Sequence, residues 1–142
     1  MSATYPTKIT EKKVVAKNTL MISFERPNNF SFQAGQYIQL AVKNLNYPDP
    51  KGSSRTFSIC SSPSNQKTIS VVFRETGSGF KKTLSELPIG EDVLIEGPLG
   101  FFSLPDIPDS HHIFVAGGIG IAPFISMIKQ AIRVGSSLHI DL

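Results

Sequence analysis

Residues 55–63 read Arg-Thr-Phe-Ser-Ile-Cys-Ser-Ser-Pro, a segment that follows a loop rich in proline, glycine and serine. In an extended chain successive side chains point to opposite faces, so Arg55 and Phe57 are predicted on one face and Ser58 on the other. A guanidinium pairs with phosphate, an aromatic face packs on a planar ring, and a hydroxyl donates a hydrogen bond. The predicted strand therefore suits a ligand with a phosphate and a flat conjugated ring. The competing interpretation is an ordinary strand with its phenylalanine in the core and its arginine in solvent.

Short strands separated by turns surround this segment. From Thr7 to Pro27 apolar and polar residues alternate loosely around a turn at residues 17–19, which predicts two antiparallel strands. Further strands are predicted at residues 36–43, 55–61, 68–74 and 92–96. The pattern predicts a mainly β fold, a six-stranded antiparallel Greek-key barrel.

Residues 75–88 break the strand pattern. Their apolar residues recur at three- and four-residue intervals, which is typical of one short helix capping the barrel. Ser78 is a good N-cap, and the first turn of a helix exposes backbone N–H groups that stabilise an anion. The sequence therefore predicts an anion site at the start of this helix, where Lys81 and Lys82 add positive charge.

A proline-rich connector follows the barrel. Residues 105–109 read Pro-Asp-Ile-Pro-Asp and form the best domain boundary in the chain. We predict a barrel domain at residues 1–104 and the start of a second domain at residues 110–142. The latter holds 33 residues, fewer than the roughly 50 that an independent domain needs, so it is predicted to be incomplete.

The second segment combines strands with a helix. Residues 112–116 predict a compact buried strand, residues 123–133 a helix, and residues 136–141 another strand. Strand, glycine turn and helix in this order are typical of the opening of an α/β nucleotide-binding unit.

The glycine turn has its own chemistry. Gly118 and Gly120 lack side chains, which would let a flat ligand approach the backbone closely. Pro123 suits the first position of a helix, where its missing N–H costs nothing. The alternative interpretation is a tight turn that only packs the helix on the sheet.

Three stretches together resemble the ferredoxin-NADP reductase family. Residues 55–58 resemble its Arg-x-aromatic-Ser flavin signature, and residues 89–104, IGEDVLIEGPLGFFSL, resemble the segment where its barrel closes. Residues 117–127, GGIGIAPFISM, resemble a segment of its pyridine-nucleotide domain. The departures are Phe57 where tyrosine is commoner, Lys81 at a serine position and Ile119 at a threonine position.

The resemblance implies a flavin-dependent NAD(P)H oxidoreductase, a reductase component that passes hydride from NADH or NADPH to a flavin. FAD is the implied cofactor, with FMN as the alternative, and electrons would pass on to a ferredoxin, a flavodoxin, an oxygenase component or a small molecule. Ser58, donating toward the flavin N5, is implied as the catalytic residue. The implied flavin-binding residues are Arg55, Thr56, Phe57, Ser58, Val72, Phe73, Arg74, Gly79, Phe80 and Lys81. The residues implied for NAD(P) are Gly118, Gly120 and Pro123.

Two other function classes share some of these features. A flavin-binding module or electron-transfer subunit without NAD(P)H turnover would need the same barrel residues. An oligonucleotide-binding barrel is suggested by the net charge of +3 and the pI near 9.1. The 14 lysines and arginines are scattered rather than gathered in a patch, which disfavours nucleic acid as a partner.

Composition also bears on location and metals. No apolar run approaches the ~20 residues that span a bilayer, so no membrane span is predicted. The start lacks an apolar signal segment and Cys60 is the only cysteine, which together predict a cytoplasmic protein. His111, His112 and His139 have no cysteine or carboxylate partners at ligand spacing, so we predict no metal site.

Overall fold

The computed structural model describes residues 3–105, 107, 109–137 and 139–142. The strands of its main sheet are β1 (Ala3–Ala16), β2 (Thr19–Glu25), β3 (Tyr37–Val42), β4 (Ser54–Ser58), β5 (Thr68–Arg74) and β6 (Asp92–Leu99). They pair antiparallel in the order β4-β3-β6-β1-β2-β5. The predicted mainly β fold with six antiparallel strands is confirmed.

The two outer strands of this sheet, β4 and β5, meet where the chain leaves β4. Ile59 forms an antiparallel bridge with Val71, and the Cys60 N–H donates to the Ser70 carbonyl at 2.8 Å. The sheet closes into a barrel because its first and last strands are hydrogen-bonded at this point.

Alternation of apolar and polar residues sets which face of each strand enters the barrel. In β3, Ile38, Leu40 and Val42 are buried, whereas Tyr37 is exposed. The largest fully buried side chains of the barrel core are Ile9, Ile22, Phe24, Ile38, Leu40, Ile59, Ile69, Phe73, Phe80, Leu84 and Ile95.

Helix α1, Gly79–Glu86, begins where the sequence predicts it. The Ser78 hydroxyl accepts the Lys81 N–H at 3.2 Å, which satisfies one of the donors that a helix start leaves free. Phe80 and Leu84 enter the barrel core, so the helix is held by burial of its apolar side.

The loop between β3 and β4 packs directly on the start of α1. A Cβ atom at Gly79 would lie 2.3 Å from the Pro48 carbonyl oxygen, so only glycine permits this approach. The Tyr47 hydroxyl donates to a carboxylate oxygen of Glu86 at 2.8 Å. Loop and helix therefore form one packed unit.

Strand β6 extends further than the sequence predicted. Gly97 and Pro98 were expected to end it in a turn, but Gly97 pairs with Ala3 of β1 and Leu99 pairs with Tyr37 of β3. The predicted end at residue 96 was wrong because pairing with two neighbouring strands outweighs the local turn preference of glycine and proline.

Beyond the barrel lie β7 (His111–Ile113), a 3-10 helix (Gly118–Ile121), α2 (Ala122–Val134) and β8 (His139–Asp141). β7 and β8 pair in parallel, as a crossover through a helix requires. The domain division at residues 1–104 and 110–142 stays a prediction. Asp106 and Pro108 of the predicted linker and Leu138 of the last predicted strand lie outside the described residues.

Strand β7 is shorter and more exposed than predicted. Ile113 is 77% exposed and Val115 is 85% exposed, while Phe114 is buried and stacks on Phe124 with ring centroids 4.4 Å apart. Within the described ranges, this two-stranded sheet has a single helix to cover it. The prediction of a compact buried strand was therefore wrong.

Polar side chains dock α2 on the barrel. The Ser126 hydroxyl donates to the Ser61 carbonyl at 2.6 Å, and the Gln130 side-chain oxygen accepts from the Ser62 hydroxyl at 2.6 Å. Both contacts reach the segment that connects β4 to β5. No helix in the described part of the chain is long and apolar enough to cross a membrane.

Gly35 lies at the same junction. Its φ is +102°, and a Cβ atom there would lie 1.9 Å from the Phe102 carbonyl oxygen and 2.5 Å from the Met127 Cε. Glycine is required here both by the positive φ and by the close approach of α2 to the barrel.

Candidate functional site

A cavity of about 780 Å³ lies between the barrel and the turn that precedes α2. This volume falls within the ~300–1,000 Å³ that is usual for small-molecule and cofactor sites. Its wall is formed by β4, β5, the loop before β4, the start of α1 and the 3-10 helix. The predicted residues that line it are Arg55, Thr56, Phe57, Ser58, Val72, Phe73, Arg74, Gly79, Lys81 and Gly120.

The other three predicted residues lie close to this wall or away from it. Phe80 is completely buried, with its ring centroid 5.3 Å from the Cζ of Arg55. Gly118 begins the 3-10 helix at a positive φ of 54°, and Pro123 lies in the first turn of α2. From the second segment, the cavity is lined by Ile119, Gly120 and Ala122.

The Arg55 guanidinium is turned toward the loop that precedes it. One terminal nitrogen donates to the carbonyl oxygens of Lys51, Gly52 and Ser54 at 2.9, 3.0 and 2.6 Å. The other terminal nitrogen forms an ion pair with Asp49, and the arginine side chain is 17% exposed. The cation is thus held in a fixed position at the cavity wall.

Asp49 is a site residue that the sequence reasoning missed. Its side chain is 3% exposed, and its carboxylate accepts the Phe80 N–H at 2.9 Å and the Lys51 N–H at 2.9 Å. These backbone bonds, followed by the Arg55 guanidinium, hold the pKa of Asp49 below its usual value. The available signal was that Asp49 is the only acidic residue in the loop that leads to Arg55.

Phe57 belongs mainly to the barrel core. It is 8% exposed, and its ring lies 5.6 Å from that of Phe73 and 6.1 Å from that of Phe80 between centroids. Its accessible part lines the cavity. Of the two interpretations of this strand, the core position of the phenylalanine fits the ordinary one, while the cavity fits the ligand-binding one.

Ser58 faces the cavity from the end of β4. It is half-buried, and its hydroxyl has no hydrogen-bond partner among the residues that the structure describes. A hydroxyl in this position can donate to or accept from a bound molecule without breaking an internal bond.

Positive charge predominates in the cavity wall. Lys51, Arg55, Arg74 and Lys81 line it, against the single carboxylate of Asp49. Burial, and then the charge of Arg55, lower the pKa of Lys81, whose amine donates to the Arg74 carbonyl at 3.0 Å. Cations that repel one another at short range would be stabilised by a bound anion.

Arg74 connects the barrel side of the cavity to the glycine turn. Its NH2 group would lie 3.9 Å from a Cβ atom at Gly118, and its guanidinium has no hydrogen bond or ion pair within the described ranges. An exposed and uncommitted guanidinium at this position can pair with an anionic ligand.

Cysteine and histidine residues take no part in the cavity wall. Cys60 follows Ser58 by two residues and is buried. Burial raises the pKa of its thiol to about 11, so the thiol is protonated and unreactive. His111 contacts the Asp141 carboxylate at 2.7 Å and His112 contacts the Ser110 hydroxyl at 2.7 Å, both outside the cavity.

Comparison with known families covers most of the chain. Residues 6–104 match the model of the oxidoreductase FAD-binding domain. The chain is 34% identical over 125 residues to the phenol hydroxylase P5 protein of Acinetobacter pittii, covering 87% of this chain and 33% of that protein. It is 32% identical over 123 residues to ferredoxin–NADP reductase B of Sorangium cellulosum, covering 84% of this chain and 48% of that protein.

A solved structure has the same fold. Phthalate dioxygenase reductase, described as a modular structure for electron transfer from pyridine nucleotides to [2Fe-2S], superimposes with a TM-score of 0.79 at 26% identity. The match covers 96% of this chain and 42% of that one. The chain thus spans less than half the length of each of these relatives.

Proposed function

Because the chain belongs to the oxidoreductase FAD-binding domain family, as its resemblance to ferredoxin-NADP reductases predicted, we propose that it binds FAD in the cavity between β4, β5 and α1. We further propose that it works as the flavin-binding part of an NAD(P)H-dependent reductase. The observation that carries the proposal is that one cavity brings together Arg55 and Ser58 of β4, Lys81 of α1 and Gly120 of the 3-10 helix, which are three separate parts of the chain.

The chemistry of the cavity wall fits a flavin nucleotide. A phosphate requires cations and N–H donors, which Arg55, Lys81 and the start of α1 supply. A planar ring requires apolar surface and a few polar groups at its edge, which Phe57, Val72 and the Ser58 hydroxyl supply. Asp49 is the one group whose charge does not suit a phosphate.

The proposed roles follow from these positions. Arg55, Lys81 and the start of α1 hold the phosphate, while Val72, Phe73 and Arg74 of β5 contact the ring and its side chain. Ser58 donates a hydrogen bond to the ring and is the proposed catalytic residue. Gly120, with Gly118 and Pro123 beside it, leaves room for a nicotinamide to approach from the second segment.

A bound flavin supplies the redox chemistry, since it accepts two electrons as a hydride from NADH or NADPH and releases them singly. The chain's own part is to orient the ring with β4 and β5 and to shield it from water with the glycine turn. FMN is the alternative cofactor. The proposed partners are electron acceptors, namely a ferredoxin, a flavodoxin, an oxygenase component or a small molecule. Neither nucleic acid nor a membrane is proposed as a partner.

We propose a cytoplasmic location for this activity. The proposal is supported by Cys60, the single cysteine of the sequence, whose buried thiol is protonated.

Binding of FAD to the purified chain, followed by flavin fluorescence, tests the proposal. Replacing Arg55 with alanine removes charge-assisted hydrogen bonds, so we expect FAD affinity to fall about 10- to 100-fold. Riboflavin has no phosphate, so its affinity should stay near that of the unaltered chain. An unaltered chain that binds neither FAD nor FMN would refute flavin binding.

Anaerobic addition of NADH to the FAD-loaded chain separates a reductase from a flavin-binding subunit. Bleaching of the flavin absorbance is expected of a reductase, and Ser58→Ala should slow it about 10- to 100-fold with little change in FAD affinity. Ser85→Ala is a matched control, because the Ser85 hydroxyl bonds only within α1 at the Lys82 carbonyl. Tight FAD binding without any bleaching would favour the subunit without turnover.

A further inference from the structure

Asp49 already binds the hydrogen-bond donors that a cofactor phosphate needs. One of its carboxylate oxygens pairs with the Arg55 guanidinium and the other accepts the Phe80 N–H at the start of α1. A guanidinium and a helix-start N–H are the donors that proteins use for phosphate. The Asp49 side chain is 3% exposed, so it is part of the packed wall and not a surface charge.

We propose that the Asp49 carboxylate competes with the cofactor phosphate for two donors, the Arg55 guanidinium and the Phe80 N–H. The phosphate binds these donors only when Asp49 releases them. The inference rests on the proposed binding of FAD in this cavity. It makes Asp49 the residue that limits affinity for phosphate-bearing flavins, and it explains why the wall holds one carboxylate among four cations.

The surrounding loop does not depend on Asp49 for its position. The Asn46 N–H donates to the Thr83 hydroxyl at 3.0 Å, and the Lys82 amine lies 3.8 Å from the centroid of the Tyr47 ring. Since these contacts fix the loop on α1 independently, Asp49 can lose its charge without releasing the loop. An asparagine at this position also keeps one oxygen to accept an N–H.

The effect of Asp49 depends on the charge of the ligand. The terminal phosphate of FMN carries a charge of nearly −2 at pH 7.5, because the second pKa of such a monoester is about 6. Each phosphate of FAD carries about −1, and riboflavin carries none. The Asp49 carboxylate therefore repels FMN more strongly than FAD, and FAD more strongly than riboflavin.

The opposite role is a positioning one, in which the Asp49 carboxylate holds Arg55 in the orientation that phosphate requires. Removing the carboxylate would then weaken the binding of FAD and FMN. The two roles predict opposite signs for the same substitution, so one experiment decides between them.

The experiment measures dissociation constants of FMN, FAD and riboflavin for the unaltered chain, Asp49→Asn and Asp92→Asn. Asp92 forms an exposed ion pair with Lys8 outside the cavity, so its substitution controls for net charge. For Asp49→Asn we expect about tenfold tighter FAD, a larger gain for FMN and unchanged riboflavin. For Asp92→Asn we expect no change in any ligand.

Weaker binding of FAD and FMN by Asp49→Asn would overturn the proposal in favour of positioning. Equal gains for riboflavin and FAD would also overturn it, because the effect would then not involve phosphate. An unaltered chain that binds no flavin would remove the proposed function and this inference together, and that result differs from both others.

A measurement on the unaltered chain covers the case in which Asp49→Asn fails to fold. The amide resonance of Phe80 reports its hydrogen bond, so ¹⁵N NMR during titration with FMN should show it shift as the acceptor changes from carboxylate to phosphate. Riboflavin should leave it in place. A Phe80 amide that stays unchanged through saturation with FMN would overturn the proposal.

Discussion

The barrel and the segment from β7 to β8 are both rich in isoleucine and valine, yet they bury these residues to very different extents. In the barrel Ile22, Ile38 and Ile95 are completely inaccessible, whereas in the second segment Ile113 is 77% and Ile132 is 76% exposed. A closed sheet has an interior of its own, while two strands and a helix do not. The position of the second segment therefore depends on its contacts with the barrel.

The largest expected difference comes from the same substitution in the two regions. Ile95→Ala removes a buried strand residue and should cost about 2–5 kcal/mol of unfolding free energy. Ile113→Ala changes an exposed strand residue and should stay within about 0.5 kcal/mol. Urea unfolding of both variants measures this, and equal losses would break the comparison by showing that the face bearing Ile113 is covered in solution.

A somewhat smaller effect is expected at the junction of the two regions. Gly35→Ala places a methyl group against Phe102 and Met127 at a positive φ, and such overpacking costs about 1–3 kcal/mol beyond the strain of the backbone. Gly52→Ala is the matched control, because Gly52 also has a positive φ but no atom near its would-be Cβ. Denaturation midpoints that fall equally in both variants would mean that the close packing at Gly35 contributes nothing.

Ser126→Ala tests how strongly α2 is attached to the barrel. It removes the bond to the Ser61 carbonyl and leaves that oxygen without this donor, at a cost of about 1–3 kcal/mol. Amide hydrogen exchange should accelerate about tenfold or more in α2 and remain unchanged in β2. Equal acceleration in both elements would show that the two regions open as one unit.

The smallest effect is expected at Asp49 and depends on pH. Its folded pKa is lowered below the usual 3.8, mainly by the Phe80 N–H, so its contribution to stability is present above pH 3.8. That contribution is lost as pH falls through the lower folded value. We therefore expect Asp49→Asn to melt slightly below the unaltered chain at pH 7, and thermal unfolding at decreasing pH should show this difference shrink below pH 3.8. A difference in melting temperature that persists in acid would show that Asp49→Asn acts through packing and not through the loss of charge.

Much of the barrel follows from local pattern. The alternation in β3, the β-branched residues of β5 and the N-cap at Ser78 are visible in sequence because each depends on residues a few positions apart. The extension of β6 to Leu99 was missed because it depends on pairing with distant strands. The exposure of Ile113 was missed because an apolar run shows preference for burial and not the presence of a covering layer.

The candidate site was predictable to a similar degree. Arg55, Ser58 and Gly120 stand in motifs whose chemistry is visible in order along the chain. Asp49 was missed because a carboxylate in a loop has no periodicity, and its contacts with Arg55 and Phe80 arise only when the loop folds back on α1. Ser126 stood in the glycine-turn motif, but its bond to the Ser61 carbonyl could not be inferred before the two regions were placed together.

The closure of the barrel has a thermodynamic consequence. Among the described residues, β4 and β5 share a bridge only at Ile59 and Val71, so the seam between them has fewer backbone rungs than any other pair of neighbours in the barrel. The cavity lies along this seam, with Ser58 on one side and Val72 on the other. A molecule that contacts both strands therefore links β4 to β5 and stabilises the closed barrel. We expect its loss to destabilise the whole barrel and not one strand alone.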